Sequence, residues 1–282
     1  MSKDAKSSLL RPNSRGFSDI FGPMIPVALS IAGSDPSGGA GIQADIKTFH
    51  QFGVYATTVL TLVAVQNTQS VKSVELLSPA LVEAQLDAVL EDIPPDAAKT
   101  GALGDENIIA AVARRAAGLA CPLVVDPVMI SKHGMPLMTI RAREALAALL
   151  IPHAFLVTPN LHEAGVLAGM AVTDIETMEE AARRISSLGA AAALVKGGHL
   201  AGDAVDVLYF DRRIVHFSSP RIETLHTHGT GCTFSAAITA GLARQLPLQQ
   251  AIENAKKFIS LAIQFNPGLG HGHGPVNHNV TI

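Results

Sequence analysis

The sequence predicts an α/β fold in which a mostly parallel sheet is covered by helices on both faces. Three observations carry this expectation. Short apolar, β-branched runs alternate with helix-like stretches along the chain. Polar residues fall just after strand ends, at Asp35, Asp126, Asn160 and Lys196. A glycine-rich segment, Gly33 to Gly41, follows a strand and leads into a helix. Ligands in open α/β sheets bind at the carboxyl ends of the strands, so these polar residues point to one cleft along one sheet edge.

The elements follow in order. Val27 to Ala32 is an apolar strand entering the glycine-rich loop. Ile42, Ile46 and Phe49 recur at i, i+4 and i+7, which marks a helix face, and Gly53 ends that helix. Thr57 to Val65 has the composition of a buried parallel strand, and Val71 to Leu77 alternates like a half-exposed one. Ser78-Pro79 supplies an N-cap and first position for a helix carrying Val82, Leu86, Val89 and Leu90 on one side. Ala97 to Gly101, Leu123 to Asp126, Ala154 to Val157 and Ala191 to Val195 read as further strands. Between and after them, Ile108 to Ala117, Arg141 to Leu150, Leu161 to Leu167 and Thr177 to Leu188 read as helices. Ala204 to Phe210 and Ile214 to Phe217 form a hairpin turning at Asp211-Arg212. Two helices close the chain, about Gly231 to Arg244 and Leu248 to Phe265.

Composition narrows the function classes. Of 282 residues, 48% are hydrophobic and 16% charged, so a large core is expected rather than disorder. The formal charge is −3, Trp is absent, and the only tyrosines are Tyr55 and Tyr209. Neither a basic footprint nor a stacking platform for nucleic acid is present. No apolar run reaches the roughly 18 residues of a membrane span. Two cysteines, Cys121 and Cys232, do not make a disulfide scaffold, and a reduced, cytoplasmic setting is expected. Residues 1–24 lack the apolar stretch of a secretory signal and read as a mobile extension. Residues 25–282 read as a single domain.

The strongest local signal for chemistry is Thr227-His228-Gly229-Thr230-Gly231-Cys232, opening an apolar helix. Its glycines allow a tight turn and close approach of a ligand. The helix start presents unpaired N–H groups and the positive end of its dipole, a field suited to a transferring phosphoryl group. Cys232, in the first helical turn, is expected to have a lowered pKa and to act as a base or to position a hydroxyl. The alternative is a small buried hydrophobe, which is how Cys121 reads. Gly33 to Gly41 is neither a dinucleotide fingerprint nor a P-loop, but it lets a small planar ligand lie against backbone. Asp45, one turn further, either hydrogen-bonds an amine or hydroxyl or is an exposed helix residue.

Gln66-Asn67 ends a very apolar strand; either the side-chain amide offers the donor and acceptor that suit an aminopyrimidine edge, or polar residues simply terminate the strand. Asn160 and Glu163 face the same way at a helix start. Either they orient hydrated Mg²⁺ and phosphate oxygens, or they form an N-cap with a capping-box Glu. Lys196-Gly197-Gly198-His199 sets a cation at a strand end, either for nucleotide phosphates or as a solvated lysine. The histidines of Gly270 to His278 lack the spacing of a metal site and read as a loop closing over the nucleotide.

Together these segments resemble the hydroxymethylpyrimidine/phosphomethylpyrimidine kinases of thiamine biosynthesis, within the ribokinase superfamily. The resemblance is carried, in the family's order, by Ala32 to Lys47, Val65-Gln66-Asn67-Thr68, Lys99-Thr100-Gly101, Asp126-Pro127-Val128-Met129, Thr158-Pro159-Asn160 with Glu163, Val195 to His199, Thr227 to Cys232, and Gly274 to His278. It implies a ribokinase-like three-layer α/β/α fold and ATP as phosphoryl donor with Mg²⁺. The implied pyrimidine pocket is Gly33, Ala40, Asp45, Gln66 and Val128. The implied anion hole is Gly229, Thr230 and Gly231, with Cys232 where most of the superfamily has a catalytic aspartate. The implied nucleotide side is Asp126, Asn160, Lys196 and Glu163, the last reaching Mg²⁺ through water. Two successive phosphorylations, on the alcohol and then its monophosphate, and a homodimer are further implications. The alternative within the superfamily is a vitamin B6 kinase. Ala102 stands where a methionine is usual, His226 replaces an asparagine, and His162 replaces a proline.

Overall fold

The computed structural model describes residues 25–132, 134–198 and 202–282. The expected extension, 1–24, and His199 lie outside the described residues. The strands are β1 (Val27–Ser34), β2 (Tyr55–Gln66), β3 (Val71–Leu76), β4 (Ala97–Thr100), β5 (Leu123–Val125), β6 (Leu156–Val157), β7 (Ala192–Lys196), β8 (Ala204–Phe210) and β9 (Arg213–Ser219). The helices are α1 (Gly41–Gln51), α2 (Pro79–Asp92), α3 (Glu106–Ala116), α4 (Ile140–Ala145), α5 (Leu161–Ala168), α6 (Ile175–Ser187), α7 (Thr230–Ala243) and α8 (Leu248–Gln264).

The strands form one sheet in the order β3-β2-β1-β4-β5-β6-β7-β8-β9. β2, β1, β4, β5, β6 and β7 run parallel, whereas β3 and β8 are antiparallel to their neighbours. Chain order reverses at β1, which lies between β2 and β4, and the site is built around that switch point.

Alternation along each central strand divides the core into two layers. Leu29, Ile31, Ala98, Val125, Val157 and Ala193 face one cluster, packed by α2 to α6. Ala28, Ala97, Val124, Leu156 and Ala192 face the other, packed by α1, α7 and α8. Successive side chains in a strand point to opposite faces, so a strand buried on both sides reads as a continuous apolar run. α7 is buried from Thr233 to Ala243. It lies beneath the sheet between α1 and α8, and this fixes its N-terminus at the strand ends.

Three expectations need correction. β2 is not buried throughout: Val63 and Val65 remain exposed on one face near the sheet edge, where only the short β3 lies outside them. The inner face of α1 is Ala44, Asp45, Thr48 and Phe49, while Ile46 is 40% exposed. The apolar spacing misled because Asp45 takes a buried place through an ion pair. The helix expected over Arg141 to Leu150 is regular only to Ala145 and then widens through Leu146–Leu150 before a tight turn at Ile151–His153. Pro152 lacks an N–H to continue it.

Candidate active site

A cleft of about 1130 Å³ runs along the carboxyl edge of the sheet. That exceeds the usual range for one small ligand and gives room for two side by side. Gly33, Ala40, Gln66, Val128, Asp126, Asn160, Glu163, Lys196, Gly229, Thr230, Gly231 and Cys232 all line it. Asp45 does not.

Gly229 caps α7 in the left-handed region, φ 77°. A Cβ there would lie 1.7 Å from the Gly39 carbonyl oxygen, so glycine is required both for conformation and for contact between the two loops. The first helical bond runs from the Thr233 N–H to the Gly229 carbonyl, 2.8 Å. The N–H groups of Gly231 and Cys232 therefore have no helical acceptor and are left for an anion. A Cβ on Gly231 would sit 3.3 Å from Lys196 Nζ and 3.8 Å from Asp126 Oδ2. The turn, the cation and the carboxylate thus meet at one point.

Lys196 Nζ donates to Asp126 Oδ1 at 2.9 Å. Thr158 and Ser235 hydroxyls donate to the same carboxylate at 3.3 Å each. Burial would lower the Lys196 pKa, but the Asp126 and Glu163 carboxylates outweigh it and the net direction is upward. Asn160 and Glu163 form a capping box: Asn160 Oδ1 accepts from the Glu163 N–H at 2.9 Å, and Glu163 Oε2 accepts from the Asn160 N–H at 2.8 Å. Glu163 Oε1 accepts from the Met129 N–H at 3.3 Å. Burial, opposed by Lys196 and reinforced by Asp126, pushes the Glu163 carboxyl up to about 7. The capping-box reading of this pair is borne out, and the cap holds both side chains.

Two site expectations fail. Asp45 is 0% exposed and bonded to Lys99 Nζ, 2.9 Å from each carboxylate oxygen, and to the Ser30 hydroxyl. It is neither a pocket wall nor an exposed helix residue. A carboxylate is held in the core because a buried cation meets it there. Cys232 does not have a lowered pKa. Burial pushes the thiol up to about 11 despite nearby Lys99 and the Gly41 N–H. Its sulfur is enclosed although the residue keeps some exposure at the cleft wall, and desolvation outweighs the helix dipole.

The glycine-histidine loop packs against the end of β2 and against the start of the anion turn. His273 N–H bonds the Thr68 carbonyl at 2.8 Å, and a Cβ on Gly272 would lie 2.1 Å from the same oxygen. The loop is seated beside the end of β2, and its Gly274 carbonyl accepts from the His228 N–H at 3.0 Å. Among the described residues no cluster of His, Cys, Asp or Glu has the arrangement of a metal site.

In the sequence Asp35 stood only as a strand-end residue of the cleft and Lys99 only as part of a family segment, and Asp206 and Lys256 were not singled out. Asp35 lies at the β1 carboxyl end and bonds His228 Nε2 at 2.8 Å. Lys256 Nζ donates to Asp206 Oδ2 at 2.7 Å, and Asp206 Oδ1 accepts from the Gly197 N–H beside Lys196. A signal existed for two of them. Lys99 interrupts an apolar strand, and Lys256 falls on the buried stripe of α8 with Ile252 and Ile259.

Comparison with known proteins gives the family. Residues 35–277 match the phosphomethylpyrimidine kinase family. The chain is 50% identical to the thiamine biosynthesis bifunctional protein ThiED of Geobacter sulfurreducens over 89% of its length, spanning about half (51%) of that relative. It is 43% identical to the hydroxymethylpyrimidine/phosphomethylpyrimidine kinase of Bacillus subtilis, covering 89% of this chain and 94% of that one. Among solved structures, an ADP complex of Bacillus subtilis pyridoxal kinase superposes with a TM-score of 0.85 at 40% identity, covering 90% of this chain and 98% of that chain. The phosphomethylpyrimidine kinase of Clostridium difficile 630 gives 0.76 at 40% identity, covering 84% and 99%. With a glycine turn aimed at a Lys–Asp pair on the switch-point edge of such a sheet, the chain belongs to the phosphomethylpyrimidine kinase family and has its ribokinase-like fold.

Proposed function

We propose that this protein is a bifunctional hydroxymethylpyrimidine and phosphomethylpyrimidine kinase of thiamine diphosphate biosynthesis. It transfers the γ-phosphoryl group of ATP to 4-amino-5-hydroxymethyl-2-methylpyrimidine and then to the monophosphate. The observation that carries the reading is the convergence of the Gly229–Cys232 turn with Lys196 and Asp126 beside a pocket walled by Gly33, Ala40, Gln66 and Val128. The names of relatives at 43–50% identity point the same way.

In this mechanism Gln66 orients the ring by its amide, and the small side chains of Ala40 and Val128 leave room for it. The N–H groups of Gly231 and Cys232, with Lys196, stabilise charge on the transferring group; most of the acceleration comes from such positioning and electrostatics. Asn160 and Asp126 hold the phosphate side. Glu163 would hold Mg²⁺ through water, and the ion would supply charge neutralisation at the phosphates. A thiol pushed up to about 11 is protonated at neutral pH, which favours Cys232 as a positioning group for the acceptor hydroxyl over a resident base. Asp45 has no direct substrate contact in this scheme; with Lys99 it supports the floor of the site. The working protein is taken as a cytoplasmic homodimer with residues 25–282 as one kinase domain. Two free cysteines support the reduced setting.

A vitamin B6 kinase is the second reading, favoured by the likeness to pyridoxal kinase structures. The deciding experiment is coupled ATP turnover with hydroxymethylpyrimidine, its monophosphate and pyridoxal side by side. Turnover of both pyrimidines well above pyridoxal supports the first reading; a preference for pyridoxal replaces it.

A further inference from the structure

Asp35 is 2% exposed and stands at the join of three segments. Its carboxylate accepts from the Ser37 N–H at 2.9 Å, the Ser37 hydroxyl at 2.7 Å, the Gly39 N–H at 3.2 Å and the Ala40 N–H at 2.8 Å. That folds the glycine-rich loop around it. The same carboxylate meets His228 Nε2 at 2.8 Å, and the Gln66 amide reaches it as well. One buried group therefore touches the loop walling the pyrimidine pocket, the residue expected to orient the ring, and the residue that begins the anion turn.

His228 is held from other sides too. Its N–H bonds the Gly274 carbonyl at 3.0 Å, and its carbonyl accepts from the Val276 N–H at 3.4 Å. Its ring lies against Gly39, where a Cβ would come within 2.6 Å of the imidazole Cδ2. The next residue is Gly229, whose own approach to the Gly39 carbonyl leaves no space for a side chain. A small shift of His228 must therefore move the N–H groups that follow it.

We propose that Asp35 is a positioning residue that sets the anion turn through His228 and the pyrimidine-orienting amide through Gln66, so that acceptor and phosphoryl group meet in register. This rests on the kinase reading above. The pair explains why a carboxylate is kept in a nearly buried place beside a site that binds anions. Its charge is spent on fixed N–H donors and the imidazole, and it orders two loops at once.

The test separates a kcat role from a KM role. Steady-state constants for both pyrimidines and for ATP are measured for wild type, Asp35→Asn, His228→Ala and His228→Gln, with melting temperatures. His228→Ala is expected to lose roughly 10- to 100-fold in kcat, with the pyrimidine KM unchanged within about threefold, because only the turn is loosened. His228→Gln keeps a donor for Asp35 and is expected to recover most of that loss. Asp35→Asn is expected to lose kcat to a similar degree and also to raise the pyrimidine KM, because it acts on both sides. A folded His228→Ala protein with wild-type kcat overturns the proposal. So does a His228→Gln protein no better than the alanine variant, or an Asp35→Asn protein that melts lower but keeps both constants. If Asp35→Asn does not fold, the two His228 variants decide. If wild type prefers pyridoxal, the function reading fails separately and the same split is measured with pyridoxal.

Discussion

Replacing Gly231 by Asp tests the anion turn most directly. Gly231 lies inside the first turn of α7 and, unlike Gly229, has no positive φ, so its backbone accepts a side chain. A Cβ there would stand 3.3 Å from Lys196 Nζ and 3.8 Å from Asp126 Oδ2. A new carboxylate on it must lie close to the Asp126 carboxylate and in the space meant for a phosphoryl oxygen. Two like charges about 4 Å apart repel by about 4 kcal/mol at an effective dielectric constant near 20. Each 1.36 kcal/mol on the barrier is about tenfold in rate, so kcat is expected to fall by about 10³-fold. Lys196 attracts the new carboxylate, which keeps the fold but withdraws the cation from the site. Gly231→Ala is the control: its methyl group is tight against Lys196 Nζ and adds no charge, so its loss is expected to be smaller. Coupled ATP turnover gives the rates, and thermal unfolding confirms the fold. Gly231→Asp with undiminished kcat would refute the assignment, since neither repulsion nor crowding could then lie on the reaction path. Gly229 is a poorer test because any side chain would collide with the Gly39 carbonyl and disturb the fold itself.

Further outcomes follow from the buried charges. The Glu163 carboxyl titrates near 7, above its usual value of 4.5, so the native state holds a proton that the unfolded chain has released between those values. Glu163 therefore costs stability as pH rises from about 4.5 to 7, and Glu163→Gln should flatten the pH dependence of the melting temperature in that window. The same variant should remove an acid limb near pH 7 from kcat/KM for ATP, a profile that reports the free enzyme. Cys232, pushed up to about 11, should alkylate at pH 7.5 on the order of 10²-fold more slowly than an ordinary cysteine, as read by peptide mass; fast labelling would contradict the enclosed thiol. Asp45→Ala leaves Lys99 charged and alone in the core and should cost about 3–5 kcal/mol in denaturant unfolding; a neutral result would show that the pair is dispensable.

The sequence alone was enough for the alternation of strands and helices, the glycine turn before α7 and the polar residues at strand ends. These signals are local. Burial on both faces requires apolar runs in β5 and β7, a left-handed turn requires Gly229, and a strand must end before a residue such as Asp126 can line the cleft. The resemblance followed because many such local signals stand in a fixed order. What only the tertiary structure decided was which groups meet. Asp45 and Lys99 are 54 positions apart, Lys196 and Asp126 are 70 apart, and His228 and Asp35 are 193 apart. No spacing rule connects residues brought together by sheet order, so Asp45 read as a ligand-facing carboxylate or an exposed helix residue, and Asp35 was placed at the cleft without its partner. The Cys232 thiol shows the same division. Its place in the first turn of α7 was visible in the sequence and argued for a low pKa. The packing of α7 under the sheet supplied the desolvation that reversed the sign, because burial depends on every neighbour at once and not on the residue's own segment.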